Sequence, residues 1–341
     1  MHLAVQEARR GGKAVRPNPR VGAAAWLPNG CILAARHEVY GGAHAEMKLL
    51  AKAAELGLSL RGARVAVTLE PCSHVGKTGP CADALIAAQI QSLLIGGQDP
   101  FPEVAGRGLA RVRAANIPVE VGVLAKECFD LNRAWLTAQA QRKPFVRLKM
   151  ATSLDGRWTS ADGISKWITG SAARAGGHAL RREADAIVTS LATIDADNPE
   201  LSARRRDQSR YPEQPQLFIV SREASNAARI EGKRVAAHPN GVRWLAGTGT
   251  LGEKLQNLFE EGLFDVLVEG GPRLAHAVLE AGVVNEVHLF MAPQFLGGAG
   301  LGLPPFGGGK LPGCELVIRK IETLLDGNLH LVLDAKPPTL T

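Results

Sequence analysis

Four residues in the first quarter of the chain have the types and spacing for metal-assisted chemistry. His44 and Glu46 stand two apart in "GGAHAEMKLL", and Cys72 and Cys81 follow in "VTLEPCSHVGKTGPCADALI". A catalytic zinc takes three protein ligands and keeps its fourth tetrahedral position for water, whose pKa it lowers toward neutrality. One His and two Cys make such a set. Glu46, near the start of the same predicted helix as His44, is placed to carry protons beside the metal without ligating it. Pro71 and Pro80 fix φ just before each thiol, and Cys81 opens a predicted helix, whose N-terminus favours a thiolate. The order H-x-E…P-C…C is the zinc-deaminase signature, but the usual P-C-x-x-C is here stretched to eight intervening residues. The plain alternative is a helix start plus two core cysteines. A structural zinc site is a further alternative; it would normally have four protein ligands, and His74 is the only fourth candidate.

The rest of the chain must position these residues and account for its own length. At 341 residues, two domains are expected. Hydrophobic content of 45% and charged content of 21% fit a soluble globular protein. No apolar run is long enough for a membrane span, and the amphipathic N-terminus "MHLAVQEARRGG" lacks a signal-peptide core, so a cytoplasmic protein is expected. Five cysteines form no disulfide framework; Cys31, Cys128 and Cys314 read as buried small hydrophobes. The net charge of +7 invites a nucleic-acid reading, which 5% aromatics without interleaved basic residues does not favour. A phosphorylated small substrate explains the excess equally well.

Up to about residue 142 short apolar runs alternate with helical patterns. "RVGAAAWL" and "CILAARH" flank Pro28-Asn29-Gly30, a hairpin signal. "HAEMKLLAKAAELG" has helical periodicity, "ARVAVTL" reads as a buried strand, "CADALIAAQ" as a helix, and "QSLLIGG" and "IPVEVG" as strands around the helix "RGLARVRAAN". Arg142-Lys143-Pro144 breaks the helix carrying Trp135, which places a boundary between residues 1–142 and 143–341. Beyond it come the strands "DAIVTS", "QLFIVS", "VRWLA", "FDVLVEGG" and "NEVHLFMAP", with the helices "GEKLQNLFEE" and "PRLAHAVLEAG". "CELVIRKIETLL" and "NLHLVLDA" close the chain as strands, and residues 296–313 must be a loop. Both halves are α/β.

Taken together, these segments resemble the bifunctional riboflavin-biosynthesis deaminase/reductases. "RPNPRVG", "GGAHAEM", "VTLEPCSHVGKTGPC" and "DPFPEVAGRG" are similar to motifs of the deaminase half; "LKMATSLDGR", "SKWITG", "DAIVTSLATIDADNPEL", "VEGGPRLAHAVLEAG" and "MAPQFLGG" are similar to motifs of the reductase half. The resemblance implies a cytidine-deaminase-like α/β/α layered domain followed by a dihydrofolate-reductase-like α/β domain. It implies zinc-dependent deamination of a diaminopyrimidinone carrying a ribosylamino phosphate, then NADPH-dependent reduction of the ribosyl group. It implies Zn2+ on His44, Cys72 and Cys81, with Glu46 as the proton shuttle. Substrate contacts are implied at Asn18, His74 and Lys77, and, in the second half, at Ser165, Arg181, Leu201, Arg204 and Glu269. Arg181 and Arg204 are the expected phosphate clamps; Arg204 is the one member of its triple-Arg run singled out. NADPH contacts are implied at Ala151, Trp167, Thr169, Thr193 and Asp197, and along Gly271, Pro272, Arg273, Leu274, Ala275, His276 and Ala277. The last group opens a helix after a strand, a natural phosphate seat. A homo-oligomer with no nucleic-acid or membrane partner is expected.

Asn198 stands where the family commonly has a second Asp, and Ser221-Arg222 where it reads Asp-Ser after a strand. Two other functions remain open at this point: a deaminase with an impaired reductase half serving another pyrimidine-derived pathway, and a nucleic-acid-editing deaminase.

Overall fold

The computed structural model describes residues 1–73, 79–100, 106–160, 168–221, 227–297, 302 and 315–335. The chain divides into two compact units, Met1–Arg142 and Lys143–Thr341.

The first unit runs α1 (His2–Arg10), β1 (Gly22–Trp26), β2 (Ile32–Arg36), α2 (Ala45–Glu55), β3 (Arg64–Val67), α3 (Cys81–Ala87), β4 (Ser92–Ile95), α4 (Arg107–Ala114), β5 (Val119–Val121), α5 (Ala125–Leu131) and α6 (Arg133–Gln141). Its sheet has the order β2-β1-β3-β4-β5, with β1 antiparallel to both neighbours and β3, β4 and β5 parallel. Alternation along each strand sorts the two faces. Ala23, Ala25, Val65, Val67, Leu93 and Ile95 share one apolar cluster with Leu49 of α2, Leu85 of α3 and Leu109 of α4. Helix α1 packs on β1 so closely that a Cβ on Gly22 would lie 2.0 Å from the carbonyl oxygen of Ala4. The β1–β2 hairpin turns on Gly30, whose φ of +85° suits glycine.

The second unit runs β6 (Phe145–Ser153), α7 (Ser171–Glu183), β7 (Ala186–Ser190), α8 (Leu191–Asp197), β8 (Gln216–Val220), β9 (Val242–Leu245), α9 (Leu251–Glu260), β10 (Asp265–Glu269), α10 (Pro272–Glu280), β11 (Glu286–Ala292), β12 (Leu316–Thr323) and β13 (Leu329–Ala335). Eight strands lie in the order β12-β13-β11-β6-β10-β7-β8-β9. The stretch from β11 to β9 is parallel, and an antiparallel hairpin, β12–β13, finishes one edge. Val146, Leu148, Val266 and Val268 face α9 and α10, through Leu258 and Val278. Ile187, Ile219, Leu267 and Phe290 face α7 and α8, through Leu180 and Ile194. Helix α9 opens on a capping box of Thr250 and Glu253.

One core assignment is corrected. Cys31 is exposed, because it follows the hairpin turn at the free edge of β2; Cys128 is buried, and Cys314 lies outside the described residues. Helices α7 and α8 carry small and polar residues that hide their periodicity, and sequence reading did not single them out. Among the described residues, no helix is long and apolar enough to cross a membrane.

Candidate functional site

Three side chains converge in the first unit. His44 is the N-cap of α2, in extended backbone, so its ring leaves the helix axis instead of following it. Cys81 is the first residue of α3, and Cys72 ends the segment after β3. His44 Nδ1 lies 3.6 Å from Cys72 Sγ and 3.5 Å from Cys81 Sγ, and the three donor atoms all fall within 4.8 Å of one another. Tetrahedral zinc with usual bond lengths would separate a His nitrogen from a Cys sulfur by about 3.6 Å. The backbone N–H of Cys81 donates to Cys72 Sγ at 3.4 Å. Hydrogen bonding from Cys81, with further help from His44, pulls the Cys72 thiol down to about 4, while the same sharing pushes Cys81 up.

Among the described residues, several polar groups around this triad are enclosed. Glu46 sits in the first turn of α2, 3% exposed, and burial pushes its carboxyl up to about 7. His37 is buried and meets the His44 ring edge-on at 5.4 Å. Its Nδ1 lies 3.0 Å from the carbonyl of Ala43, which can only accept, so Nδ1 carries the proton and Nε2 accepts from Asn18 Nδ2 at 3.3 Å. The buried Glu70 accepts from the N–H groups of Gly106, Gly108 and Leu109, fastening the start of α4 beneath the Cys72 segment. A Cβ on Gly108 would come within 2.0 Å of the Pro71 carbonyl oxygen, so only glycine permits that approach. Sequence reading missed His37 and Glu70. Each is an ordinary polar residue beside an apolar strand, and only its partners mark it. His74 and Lys77 lie outside the described residues.

In the second unit a charged group sits at the carboxyl ends of the parallel strands. Glu269, the last residue of β10, is held bidentately by Arg181 of α7, from Nε at 2.8 Å and Nη2 at 2.7 Å, with Lys149 Nζ of β6 at 3.4 Å. Burial alone would raise the Glu269 carboxyl; the charges of Arg181 and Lys149 overcome it and hold the group well below the usual carboxylate range. The third arm of Arg181, Nη1, donates to the Ser202 carbonyl at 3.2 Å. Arg181, expected as a phosphate clamp, thus has three of its five N–H groups bonded to Glu269 and Ser202. Arg204 differs: it donates from Nη1 to Gln208 at 3.2 Å in a half-buried setting where Arg181, Arg210 and Arg234 add positive charge and Glu200 negative. Leu201 is buried with a φ of +58°, a strained conformation for a leucine.

Thr193 joins two turns: its backbone N–H is capped by Ser190, and its Oγ1 accepts from the Gly271 N–H at 3.1 Å. Gly271 opens on free space, whereas a Cβ on Gly270 would strike Leu274 at 2.8 Å. The α10 start thus leaves open space where a side chain on position 271 would stand. Along the same helix Leu274 and Ala275 turn into the core, Arg273 is exposed, and Pro272, His276 and Ala277 are half-buried. Ala151 pairs with Phe290 across β6 and β11. Thr169 accepts from Arg174 through its carbonyl, and Asp197 closes α8 before Asn198, whose φ of +41° suits Asn. Ser165 and Trp167 lie outside the described residues, as does Arg222.

Residues 1–96 match the cytidine and deoxycytidylate deaminase zinc-binding region, and residues 144–329 match the RibD C-terminal domain. The chain is 40% identical to the riboflavin biosynthesis protein RibD of Mycobacterium tuberculosis, covering 87% of this chain and 85% of that one. It is 34% identical to RibD of Escherichia coli, covering 92% and 91%. Among solved structures, Acinetobacter baumannii RibD superposes with a TM-score of 0.85 at 31% identity, covering 98% of this chain and 97% of that one. The deaminase/reductase of Thermotoga maritima gives the same TM-score at 30% identity and the same coverage.

The chain belongs to the RibD family. RibD proteins are bifunctional deaminase/reductases of riboflavin biosynthesis, with an N-terminal cytidine-deaminase-like domain and a C-terminal reductase domain of the dihydrofolate-reductase type. Membership sets aside the nucleic-acid-editing alternative, because the similarity spans both halves. The cofactors of a RibD enzyme are Zn2+ and NADPH. The donor set fits the first, with nitrogen–sulfur separations of 3.5 and 3.6 Å. The open space at the Gly271 Cα, where no side chain stands, fits close approach by the second.

Proposed function

We propose that the two activities divide between the two units: residues 1–142 deaminate the diaminopyrimidinone ribosylamino phosphate, and residues 143–341 reduce the ribosyl group of the product. The observation that carries this reading is the His44–Cys72–Cys81 triad, with the buried Glu46 beside it. When bound, zinc supplies Lewis-acid activation of water at neutral pH. His44, Cys72 and Cys81 hold it from three sides. Glu46, whose carboxyl burial raises to about 7, takes a proton from the attacking water on a carboxylate oxygen and gives it to the ring nitrogen, then carries the remaining hydroxyl proton to the departing amine. Asn18, with its amide nitrogen committed to His37, meets the pyrimidine through Oδ1.

In the second unit NADPH supplies the hydride when bound. Thr193, Asp197 and the Gly271–Ala277 segment seat it. Lys149, Arg181 and Glu269 form a fixed charged floor for the ribosyl chain, and Arg204 receives the phosphate. The test is product analysis by mass. With the substrate alone, the amino group should be exchanged for oxygen. With NADPH added, the product should also gain two hydrogens. Reduction without prior deamination would contradict the order of the steps, and deamination by the second unit alone would contradict the division.

The same reading includes a cytoplasmic enzyme that assembles with copies of itself. Ligation by two reduced thiols supports the location. The outer edge supports the assembly. All eight residues of β12 are exposed, with Ile318 at 53% and Ile321 at 59%. Antiparallel pairing with a second copy about Ile321 would set Lys320 against Glu322 twice, an isologous and charge-matched contact.

A further inference from the structure

The loop that carries Asn18 starts from a local turn, in which the Asn18 N–H donates to the Val15 carbonyl at 2.9 Å, but on either side of Asn18 it is tied down from far along the chain. Asn132, the residue between α5 and α6, turns its side-chain amide onto the backbone of Arg20. The Arg20 N–H donates to Asn132 Oδ1 at 2.8 Å, and Asn132 Nδ2 donates to the Arg20 carbonyl at 2.7 Å. One turn further on, Trp135 Nε1 donates to the Pro17 carbonyl at 2.9 Å. The two ties fall on either side of Asn18. Both side chains are buried, Asn132 at 7% and Trp135 at 8% exposed, where an unmade hydrogen bond costs most. On its other side Asn18 meets His37, and His37 meets the ring of His44.

We propose that Asn132 and Trp135 are positioning residues for deamination. They fix the backbone at Pro17 and Arg20, so that the Asn18 amide reaches His37 with its nitrogen and presents its oxygen as an acceptor to donors on the pyrimidine ring. The local turn leaves the Pro17 carbonyl and both backbone groups of Arg20 to be satisfied, and Trp135 of α6 and its N-cap Asn132 supply those partners. The inference rests on the reading that Asn18 contacts the pyrimidine.

The experiment is a double-mutant cycle on the full chain with its zinc in place. Asn132→Asp keeps the acceptor for the Arg20 N–H but sets a carboxylate oxygen against the Arg20 carbonyl. It should raise the KM of deamination about ten- to a hundredfold, the size expected when a buried polar group loses its partner. Its kcat should stay within about twofold, since the proton carrier is untouched. Trp135→Phe keeps the ring and loses only the donor, and should give a smaller rise of the same kind. Zinc content should stay at the wild-type value in both, which shows that the unit is folded. In an Asn18→Ala background, Asn132→Asp should add nothing further. Additive effects, or loss of kcat with KM unchanged, would overturn the positioning role and leave Asn18 as a substrate contact. If Asn18→Ala itself deaminates like the wild type, the reading beneath the proposal fails, and the proposal with it. Should Asn132→Asp lose its zinc, Trp135→Phe decides alone: an unchanged KM overturns the proposal, and a raised KM that vanishes in the Asn18→Ala background sustains it.

Discussion

The two units place charge at their sites in opposite ways. In the first, the reactive groups are His44, Cys72, Cys81 and Glu46, gathered from two short segments and oriented by the backbone at the starts of α2 and α3. Among them the Glu46 carboxyl is raised toward neutrality by burial. In the second, Glu269 is buried as a charge, made tolerable by Arg181 and Lys149. One carboxyl is tuned to gain and lose a proton; the other is locked as an anion. Burial acts on both in the same direction, and the neighbours decide which outcome wins. A proton carrier therefore needs few charged neighbours, whereas a fixed anionic floor needs its cations in register.

The largest effects should break the first site. Cys72→Ser should abolish both zinc binding and deamination while reduction of the second substrate continues. Glu46→Gln should keep the metal, measured by elemental analysis, yet lower deamination by about 10²–10⁴-fold or more. Retention of most activity would show that the buried carboxyl is not the proton carrier.

Next comes the locked anion. Arg181→Ala leaves Glu269 buried with Lys149 alone, and removing one partner of a buried pair costs about 3–5 kcal/mol. We expect a lowered unfolding transition of the second unit and loss of reduction, with zinc content unchanged. Arg181→Lys should restore stability only in part, since it cannot bind bidentately. An unaltered transition would mean that Glu269 takes up a proton in place of its partner, and the contrast between the two carboxyls would fail.

A smaller effect is expected at Arg204, because it anchors no buried anion. Arg204→Ala should raise the KM of reduction about ten- to a hundredfold, matching the loss of a charge-assisted contact of about 1.5–3 kcal/mol. Stability and deamination should not change. A variant indistinguishable from wild type would make Arg204 a solvated arginine like its two neighbours in the run.

The smallest effect concerns acid. Burial alone would raise Glu286, but the hydrogen bond with His288 and the charges of Arg147 and Arg319 hold it down to about 2. A folded pKa below the unfolded value means that the unfolded chain binds more protons on acidification. This stabilisation is present above about pH 4.5 and is lost as pH falls toward about 2. Melting of the second unit across that window should be less pH-dependent in Glu286→Gln; an equal slope would remove Glu286 from the account.

Sequence alone determined what is local. The His44–Cys72–Cys81 cluster and Glu46 were legible because each is tied by short spacing to a proline, a helix start or a strand end, and such patterns survive without tertiary knowledge. The strands were legible through alternation and apolar runs, and α2, α9 and α10 through their periodicity. Tertiary structure decided what depends on distant partners. Nothing near Arg181 in the sequence says that Glu269, 88 residues away, meets its guanidinium. His37 and Glu70 had no signature, since a polar residue next to a strand acquires a role only from what packs against it. Cys31 looked buried by its neighbours and is exposed, because sequence does not say which strand is an edge. Asn132 meets Arg20 across 112 residues. Pattern along a chain encodes faces and ends of elements; which face meets which end is settled by packing.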